Sequence, residues 1–364
     1  MQVEGSRYSI SGSSSLGPRY FASQKVVRTD CEQTVPELCD GLRERGVDLV
    51  ELPEFGTSED DLVAAVKGAE VILHCYTPIT RNVLENAGPQ LRAVVKYGVG
   101  IDKIDIDACR ELGIAVANVP AYGDETVAEG AFSLLISLAK RAKRVQAAMT
   151  SEDPWAWPVE ETLGLDLAEM RLGLVGNGRI GKCMARMANG FRMNLSCYDP
   201  YVSKDEMASQ NITKVDSIEA LCDGSDAVSV HCVLNNETRG LVSAKAIQQL
   251  HDRALFVNVS RGEIADEGAL AAAVNAGMLG GLGIDVFGSE PLRRGCGHVF
   301  ESLLDRDDCI FTPHLAFWTK EARERLSTEA LERCVEALEK RPLRVLSDDP
   351  RLVKQTSPSV VTFG

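Results

Sequence analysis

Three side chains in the C-terminal third of the chain have the types and spacing to work on a carbonyl group: Arg261, Glu290 and His314. Each follows a short apolar run, in Asn258-Val259-Ser260-Arg261-Gly262, in Asp285-Val286-Phe287-Gly288-Ser289-Glu290-Pro291 and in Thr312-Pro313-His314. A guanidinium grips a carboxylate or polarises a carbonyl oxygen. An imidazole gives or takes a proton, and a carboxylate beside it orients the ring and raises its pKa. Hydride transfer to a carbonyl needs that set from a protein, while the hydride belongs to a cofactor. The chain has five histidines, and only His231 and His314 fall at predicted strand ends in the second half.

A place for such a cofactor precedes these residues. Leu172 to Val175 reads as a buried strand, Gly176-Asn177-Gly178-Arg179-Ile180-Gly181 as a glycine-rich turn, and Leu195 to Tyr198 as a second strand closed by Asp199. In such a turn Gly176 permits the tight bend, Gly178 lets the backbone approach a pyrophosphate, and Gly181 lets helix and strand pack closely. The helix that opens at Arg179 and Ile180 presents free N–H groups to the phosphates. Asp199 lies 18 residues beyond Gly181, where a carboxylate accepts from ribose hydroxyls and repels a 2′-phosphate. The order strand, turn, helix, strand, acid predicts NAD as the cofactor. Asp285, at the end of a later strand, is assigned to the same cofactor site.

The elements that must hold these groups alternate between strand and helix. Strands are predicted at Lys25–Thr29, Val47–Leu52, Val71–Tyr76, Ala93–Tyr97 and Ile114–Asn118, with helices over Thr34–Arg45, Asp60–Lys67 and Asp105–Leu112. Such alternation implies a parallel sheet covered on both faces. Asp124 is expected to N-cap one long helix reaching about Val145, with Val127, Ala131, Leu134, Leu135, Leu138 and Ala142 on one face. The stretch Ser151 to Glu161 reads as a loop or arm. Later strands are predicted at Ala227–Cys232, Leu255–Val259, Gly281–Ile284 and Ile310–Thr312, and a last amphipathic helix at Lys320–Lys340. The tail beyond Arg341 shows little periodicity.

At 364 residues, with 45% hydrophobic and 25% charged residues, the chain is expected to form two domains of ordinary globular composition. A formal charge of −14 argues against a nucleic-acid surface, so an anionic substrate needs a local cationic pocket. No apolar run approaches the ~20 residues of a membrane span. Eleven scattered cysteines without CxxC or a Cys/His cluster point to a reducing compartment and no structural metal. The Ser-rich residues 1–24 read as a disordered extension. Cytoplasmic localisation is expected, a mitochondrial presequence being the alternative.

Several blocks together resemble the D-isomer-specific 2-hydroxyacid dehydrogenase family over about Lys25 to Arg344. They are KYGVGID at 96–102, NVPAYGDETVAE at 118–129, GLVGNGRIG at 173–181, DPYVS at 199–203, NVSRGEIADEGAL at 258–270, GIDVFGSEP at 283–291 and TPHLAFWT at 312–319. The resemblance implies an α/β protein of two doubly wound parallel-sheet domains. A Rossmann NAD-binding domain, 121–316, is inserted into a flavodoxin-like substrate domain, 25–120 and 317–345, with a tail at 346–364. It also implies a homodimer formed through the cofactor domain and the preceding arm. By the same matching Arg261 binds substrate, Glu290 partners the histidine, His314 is the acid/base, the amides of Val99 and Gly100 hold the substrate carboxylate, and Lys96 and Tyr76 line the pocket.

Some positions depart from the family pattern: Asn177 stands for the usual Leu or Phe, with its side chain expected to point away from the backbone cradle. Gly130 stands for a frequent His, Lys103 for a frequent Asn, and His231-Cys232-Val233-Leu234 lacks the expected Pro. Glu290 speaks against the formate dehydrogenase branch, and the missing regulatory extension against the long, serine-sensitive phosphoglycerate dehydrogenases. The expected activity is NAD-dependent interconversion of a 2-keto acid and a D-2-hydroxy acid, a small-molecule substrate with no nucleic acid or membrane partner. Phosphoglycerate, hydroxypyruvate, glyoxylate and bulkier acids all remain open. The rival expectation is an NAD(H)-sensing corepressor resembling the C-terminal binding proteins, suggested by NVPAYGDETVAE and Trp318.

Overall fold

The structure is a computed structural model, and it describes residues 21, 23–30, 35–52, 57–156, 160–347, 349–353, 355 and 361–363. Most of the predicted extension at 1–24, Thr34 of the first predicted helix, residues 157–159 of the predicted arm and part of the tail therefore lie outside the described residues. The chain divides into two compact units. The first holds the described residues up to Tyr97, Lys103–Val119 and those from Ser327 onward; the second holds Gly98–Asp102 and Pro120–Leu326. The second crossing of the chain thus falls inside a helix, between Leu326 and Ser327, and not at residue 317. The loop Gly98–Asp102 groups with the second unit.

The first unit runs β1 (Lys25–Arg28), α1 (Pro36–Arg43), β2 (Asp48–Glu51), α2 (Glu59–Val66), β3 (Val71–His74), α3 (Arg81–Ala87), β4 (Ala93–Lys96), α4 (Ile106–Leu112) and β5 (Ala115–Asn118). Its five-stranded sheet is all parallel, in the order β2-β1-β3-β4-β5, which is the flavodoxin-like order. Every residue of β3, β4 and β5 is buried, as expected for strands covered on both faces.

The second unit runs α5 (Asp124–Ala139), α6 (Ala142–Ala148), β6 (Arg171–Val175), α7 (Arg179–Gly190), β7 (Asn194–Tyr198), α8 (Lys204–Ala208), β8 (Ile212–Lys214), α9 (Ile218–Asp223), β9 (Ala227–Val230), α10 (Ala244–Ile247), β10 (Leu255–Asn258), α11 (Glu267–Asn275), β11 (Gly281–Ile284) and β12 (Cys309–Phe311). Its seven parallel strands order as β12-β11-β10-β9-β6-β7-β8. The order reverses direction between β6 and β9, so their carboxyl ends flank the switch point where doubly wound sheets bind ligands. Two cores cover the faces of the sheet. One gathers Phe256, Leu282 and Phe300; the other packs Leu135 and Leu138 of α5 and Met184 of α7 on Leu172, Leu174 and Val257. Burying each such side chain contributes about 1.5–3 kcal/mol.

The long helix expected to reach Val145 stops at Ala139, and Gly123, not Asp124, is its N-cap residue. The returning chain ends it. Leu165 N–H donates to the Ala139 carbonyl at 2.7 Å, Lys140 Nζ donates to the Leu165 carbonyl at 2.8 Å, and Arg141 turns to a left-handed φ of 52° before α6 begins. Of the expected apolar face, Ala131, Leu134, Leu135 and Leu138 are buried, while Ala142 is exposed. The described part of the predicted arm consists of turns and bends, with Trp155 82% exposed.

The closing helix α12 (Lys320–Leu338) is followed by β13 (Leu343–Val345), α13 (Pro350–Val353) and β14 (Val361–Phe363). The tail is therefore more ordered than its sequence suggests. β13 and β14 pair in parallel, and the Gln355 amide bonds both the N–H and the carbonyl of Val116 at 2.7 and 2.8 Å, completing the backbone of β5.

Candidate active site

The glycine turn sits at the end of β6, and its three glycines do three different things. Gly176 has φ 97°, and a Cβ there would lie 2.8 Å from Cys232 N, on the strand-end loop after β9. A Cβ on Gly181 would lie 2.3 Å from the Gly176 carbonyl oxygen, so only hydrogen lets α7 pack against the turn. Gly178 is exposed, with nothing within 4 Å of where its Cβ would be. It is also the N-cap residue of α7, with no side chain capping the helix, so the first N–H groups of a 12-residue helix face this open space. Asp199 stands beside it, accepting from Asn177 N–H and Tyr201 N–H at 2.9 Å each and keeping lone pairs for a ribose hydroxyl. An open backbone cradle, an uncapped helix N-terminus and a carboxylate at the next strand end fit a dinucleotide. Arg179 contributes its backbone here, because its guanidinium turns to Asp124 at 3.2 Å and to the Pro120 carbonyl at 3.0 Å. Ile180 is partly buried against the core.

Arg261 leaves β10 at its carboxyl end. Asn258, itself buried, shapes the turn by accepting from Ser260 N–H at 3.0 Å and donating to the Arg261 carbonyl at 2.8 Å. The guanidinium lies on the Gly98–Asp102 loop. Its Nε and Nη2 reach Asp102 Oδ1 at 3.2 and 3.1 Å, and a Cβ on Gly100 would sit 1.8 Å from Nη2. Any side chain at 100 would displace the guanidinium from this position. Val99 and Gly100 are thereby brought to Arg261 within one unit.

His314 follows β12 with φ 56°, an unusual backbone for a residue with a side chain. Its Nδ1 and Glu290 Oε2 are 2.9 Å apart, and Glu290 Oε1 accepts from Phe287 N–H at 2.9 Å. Burial works against the Glu290 charge. The hydrogen bond and charge of His314, the Phe287 N–H and the charge of Arg261 outweigh it and hold the carboxyl below its ordinary value. The three side chains expected to act together thus share one electrostatic neighbourhood. His231, the other strand-end histidine, is different. Its Nε2 bonds Ser229 Oγ at 2.9 Å, and burial pushes its pKa down to about 4, so it is neutral near pH 7.

Tyr76 and Lys96 belong to the first unit. Lys96 is 4% exposed at the end of β4. Its ammonium donates to the Cys75 carbonyl and lies 5.2 Å from the Tyr76 ring centroid. Asp30 fixes this corner by accepting from the N–H groups of Cys75, Tyr76 and Thr77 at 2.8–2.9 Å.

Residues 132–316 match the family model described as D-isomer specific 2-hydroxyacid dehydrogenase, NAD binding domain. The chain is 34% identical over 285 residues to a glyoxylate reductase of Korarchaeum cryptofilum, a match covering 78% of this chain and 83% of that one. The chain belongs to the D-isomer-specific 2-hydroxyacid dehydrogenase family. A D-3-phosphoglycerate dehydrogenase of Methanocaldococcus jannaschii is 32% identical over 284 residues, 78% of this chain. The chain spans only about half of that relative's length, 52%. A solved D-lactate dehydrogenase of Aquifex aeolicus, complexed with NAD and lactic acid, superposes with TM-score 0.75 at 28% identity, covering 86% of this chain and 95% of that one. The glycine cradle described above lies in the segment that matches the family's NAD-binding domain.

Two departures from the family pattern acquire physical reasons. A Cβ on Gly130 would lie 2.8 Å from the Ala316 Cβ and 2.9 Å from its carbonyl oxygen, so α5 meets the His314 loop too closely for any side chain. Asn177 is 1% exposed, and neither atom of its amide has a hydrogen-bond partner among the described residues. It is tolerated at the expense of a buried, unsatisfied amide. Sequence reasoning passed over Asp102 and Asn258, although both lie inside the quoted blocks. Asn258, a polar residue at the start of the arginine's turn, was an available signal; Asp102, 159 residues away on another loop, gave none.

Proposed function

We propose that the chain is an NAD-dependent oxidoreductase that interconverts a 2-keto acid and a D-2-hydroxy acid. The observation that carries this reading is the 2.9 Å contact between His314 Nδ1 and Glu290 Oε2, in the same unit as Arg261 and the open glycine cradle. Bound NAD(H) supplies or accepts the hydride at C2. In the reducing direction His314 gives a proton from Nε2 to the carbonyl oxygen, while Glu290 holds Nδ1 and stabilises the imidazolium. Arg261 steadies the keto acid, and the Val99 and Gly100 amides carry its carboxylate. A homodimer formed through the second unit is part of the proposal. Met149, Trp155 and Leu163 are apolar side chains of this unit that stand exposed at 54%, 82% and 63%.

The test is NADH oxidation, followed by absorbance, against glyoxylate, hydroxypyruvate, pyruvate and phosphohydroxypyruvate. Turnover of one or more members is expected, and His314→Ala should lower it by roughly 10²-fold or more with NADH affinity kept. Tight NADH binding with negligible turnover of every keto acid would overturn the enzyme in favour of a cofactor-sensing protein.

A further inference from the structure

Neighbouring backbone N–H groups after β11 hold two different carboxylates. Phe287 N–H donates to Glu290 Oε1 at 2.9 Å, and the next N–H, on Gly288, donates to Glu267 Oε1 at 2.9 Å. Glu267 is the first residue of α11, and its side chain is 17% exposed. Its other oxygen, Oε2, lies 3.3 Å from Nε2 of His298, a largely buried ring. His298 Nδ1 accepts from Phe300 N–H at 3.2 Å, so the neutral ring carries its proton on Nε2 and points it at Glu267. We propose that Glu267 is a positioning residue for Glu290: it pins the Phe287–Gly288 peptide, and with it the N–H that keeps Glu290 turned to His314.

The segment needs such a pin. At its start Asp285, expected at the cofactor, has its carboxylate spent within the chain, accepting from Thr312 Oγ1 at 2.5 Å and from the N–H groups of Leu315 and Ala316 at 2.9 Å each. Gly288 and Ser289, by contrast, are exposed, and Gly288 has no side chain to pack. Its N–H bond ties it to α11. Two other contacts close in on the same peptide. A Cβ on Gly262, the residue after Arg261, would run into it, and the Phe287 ring meets His298 edge-on with centroids 5.8 Å apart. Glu267 therefore completes a three-sided hold. Burial and the charges of Glu263 and Glu290 keep the Glu267 carboxyl above its ordinary value, against the Gly288 N–H and His298. What the segment takes from Glu267 is an acceptor oxygen at the right reach, not a charge.

The inference rests on the proposed pairing of His314 with Glu290 and is tested in the full chain with Glu267→Ala, Glu267→Asp and Glu267→Gln. Alanine removes the acceptor, aspartate keeps the charge but draws the oxygens back by one methylene, and glutamine keeps reach and an acceptor without the charge. Three quantities are read: NADH affinity by fluorescence titration, kcat and KM for the best keto acid, and the low-field proton resonance of His314 Nδ1–H, assigned by its absence in His314→Gln. Alanine and aspartate should lower kcat about tenfold or more with the NADH Kd within about threefold, and should remove the resonance. Glutamine should keep kcat within about threefold of wild type and keep the resonance. In a Glu290→Gln background the alanine change should cost at most about threefold, because the contact it supports is already gone. An equal loss in both backgrounds would overturn the proposal, since damage to the fold alone is additive. So would an aspartate enzyme with wild-type kcat, which decides the matter against glutamine if Glu267→Ala does not fold. If the wild type reduces no keto acid, the functional reading falls by itself. The resonance then still decides: its survival in Glu267→Asp counts against positioning, and its loss there with retention in Glu267→Gln counts for it.

Discussion

Glu290→Gln replaces one carboxylate oxygen with an amide nitrogen and leaves the chain otherwise intact. Glu290 now accepts two bonds, from His314 at Oε2 and from Phe287 N–H at Oε1, each 2.9 Å. Glutamine has one acceptor oxygen, so one bond must go. If the oxygen stays on Phe287, the amide N–H₂ faces Nδ1, which must then be unprotonated, and the imidazolium loses its partner. A charge-assisted hydrogen bond is worth about 1.5–3 kcal/mol. At 1.36 kcal/mol per decade that corresponds to a roughly 10- to 150-fold slower proton-donating step. The assay is kcat/KM for keto acid reduction and for hydroxy acid oxidation between about pH 5 and pH 9. Reduction should fall most at high pH, where the proton is scarce, and oxidation, which uses neutral His314, should fall less. The acid side has its own signature. Because the Glu290 carboxyl is held below its ordinary value, the pair survives acidification past the usual carboxylate range. It is lost only as pH falls through that lowered value, where wild type and variant converge. A variant within about threefold of wild type at every pH, or one that loses both directions equally, would refute the pairing.

Gly100→Ala places a Cβ 1.8 Å from Arg261 Nη2 and 2.8 Å from Asp102 Oδ1. It should raise the keto acid KM about tenfold or more with NADH affinity kept, an unchanged KM sinking the assignment of Arg261 to the substrate. Asn177→Leu removes a buried amide without a partner; it should stabilise the chain by about 1 kcal/mol, a rise of roughly 2–4 °C in Tm, and a lower Tm would contradict this. His231 is held neutral by burial, its pKa falling from 6.5 to about 4. A depressed folded value means that the unfolded chain binds the extra proton between these limits. Stability is therefore complete above pH 6.5 and falls by up to about 3 kcal/mol as pH drops towards 4. Urea midpoints should show His231→Gln losing that slope, and parallel pH profiles would exclude the explanation.

The sequence reveals the sheets more fully than the helices, for a physical reason. β3, β4, β5, β9, β10 and β11 are buried along their whole length, so they read as apolar runs broken only by His74, Lys96, Asn118, Ser229 and Asn258. The short helices α8, α9 and α10 carry little periodicity, and each is started by a serine that accepts from the N–H three residues on. Such caps, each worth about 1 kcal/mol, are common residues and announce themselves only once the helix is seen. The end of α5 was equally hidden, because Leu165, distant in sequence, supplies the N–H that closes it.

The same distinction separates the parts of the site. Glu290 and His314 could be paired in advance because each ends a strand, and neighbouring strand ends in a parallel sheet face the same side. β11 and β12 are indeed adjacent in register, Ile284 opposite Phe311. Asp102 could not be paired with Arg261, because a loop that follows β4 of the first unit groups with the second. No periodicity encodes that exchange. Gly130 carries the lesson furthest. As a letter it was only a missing histidine, a loss with no consequence in view. In three dimensions the hydrogen is the function of the position, since it admits Ala316 and with it the strained turn that presents His314. Its effect on catalysis should therefore appear in Gly130→Ala as a fall in kcat at preserved NADH affinity. A Gly130→Ala enzyme with wild-type kcat would show that the turn is held without the close approach of α5.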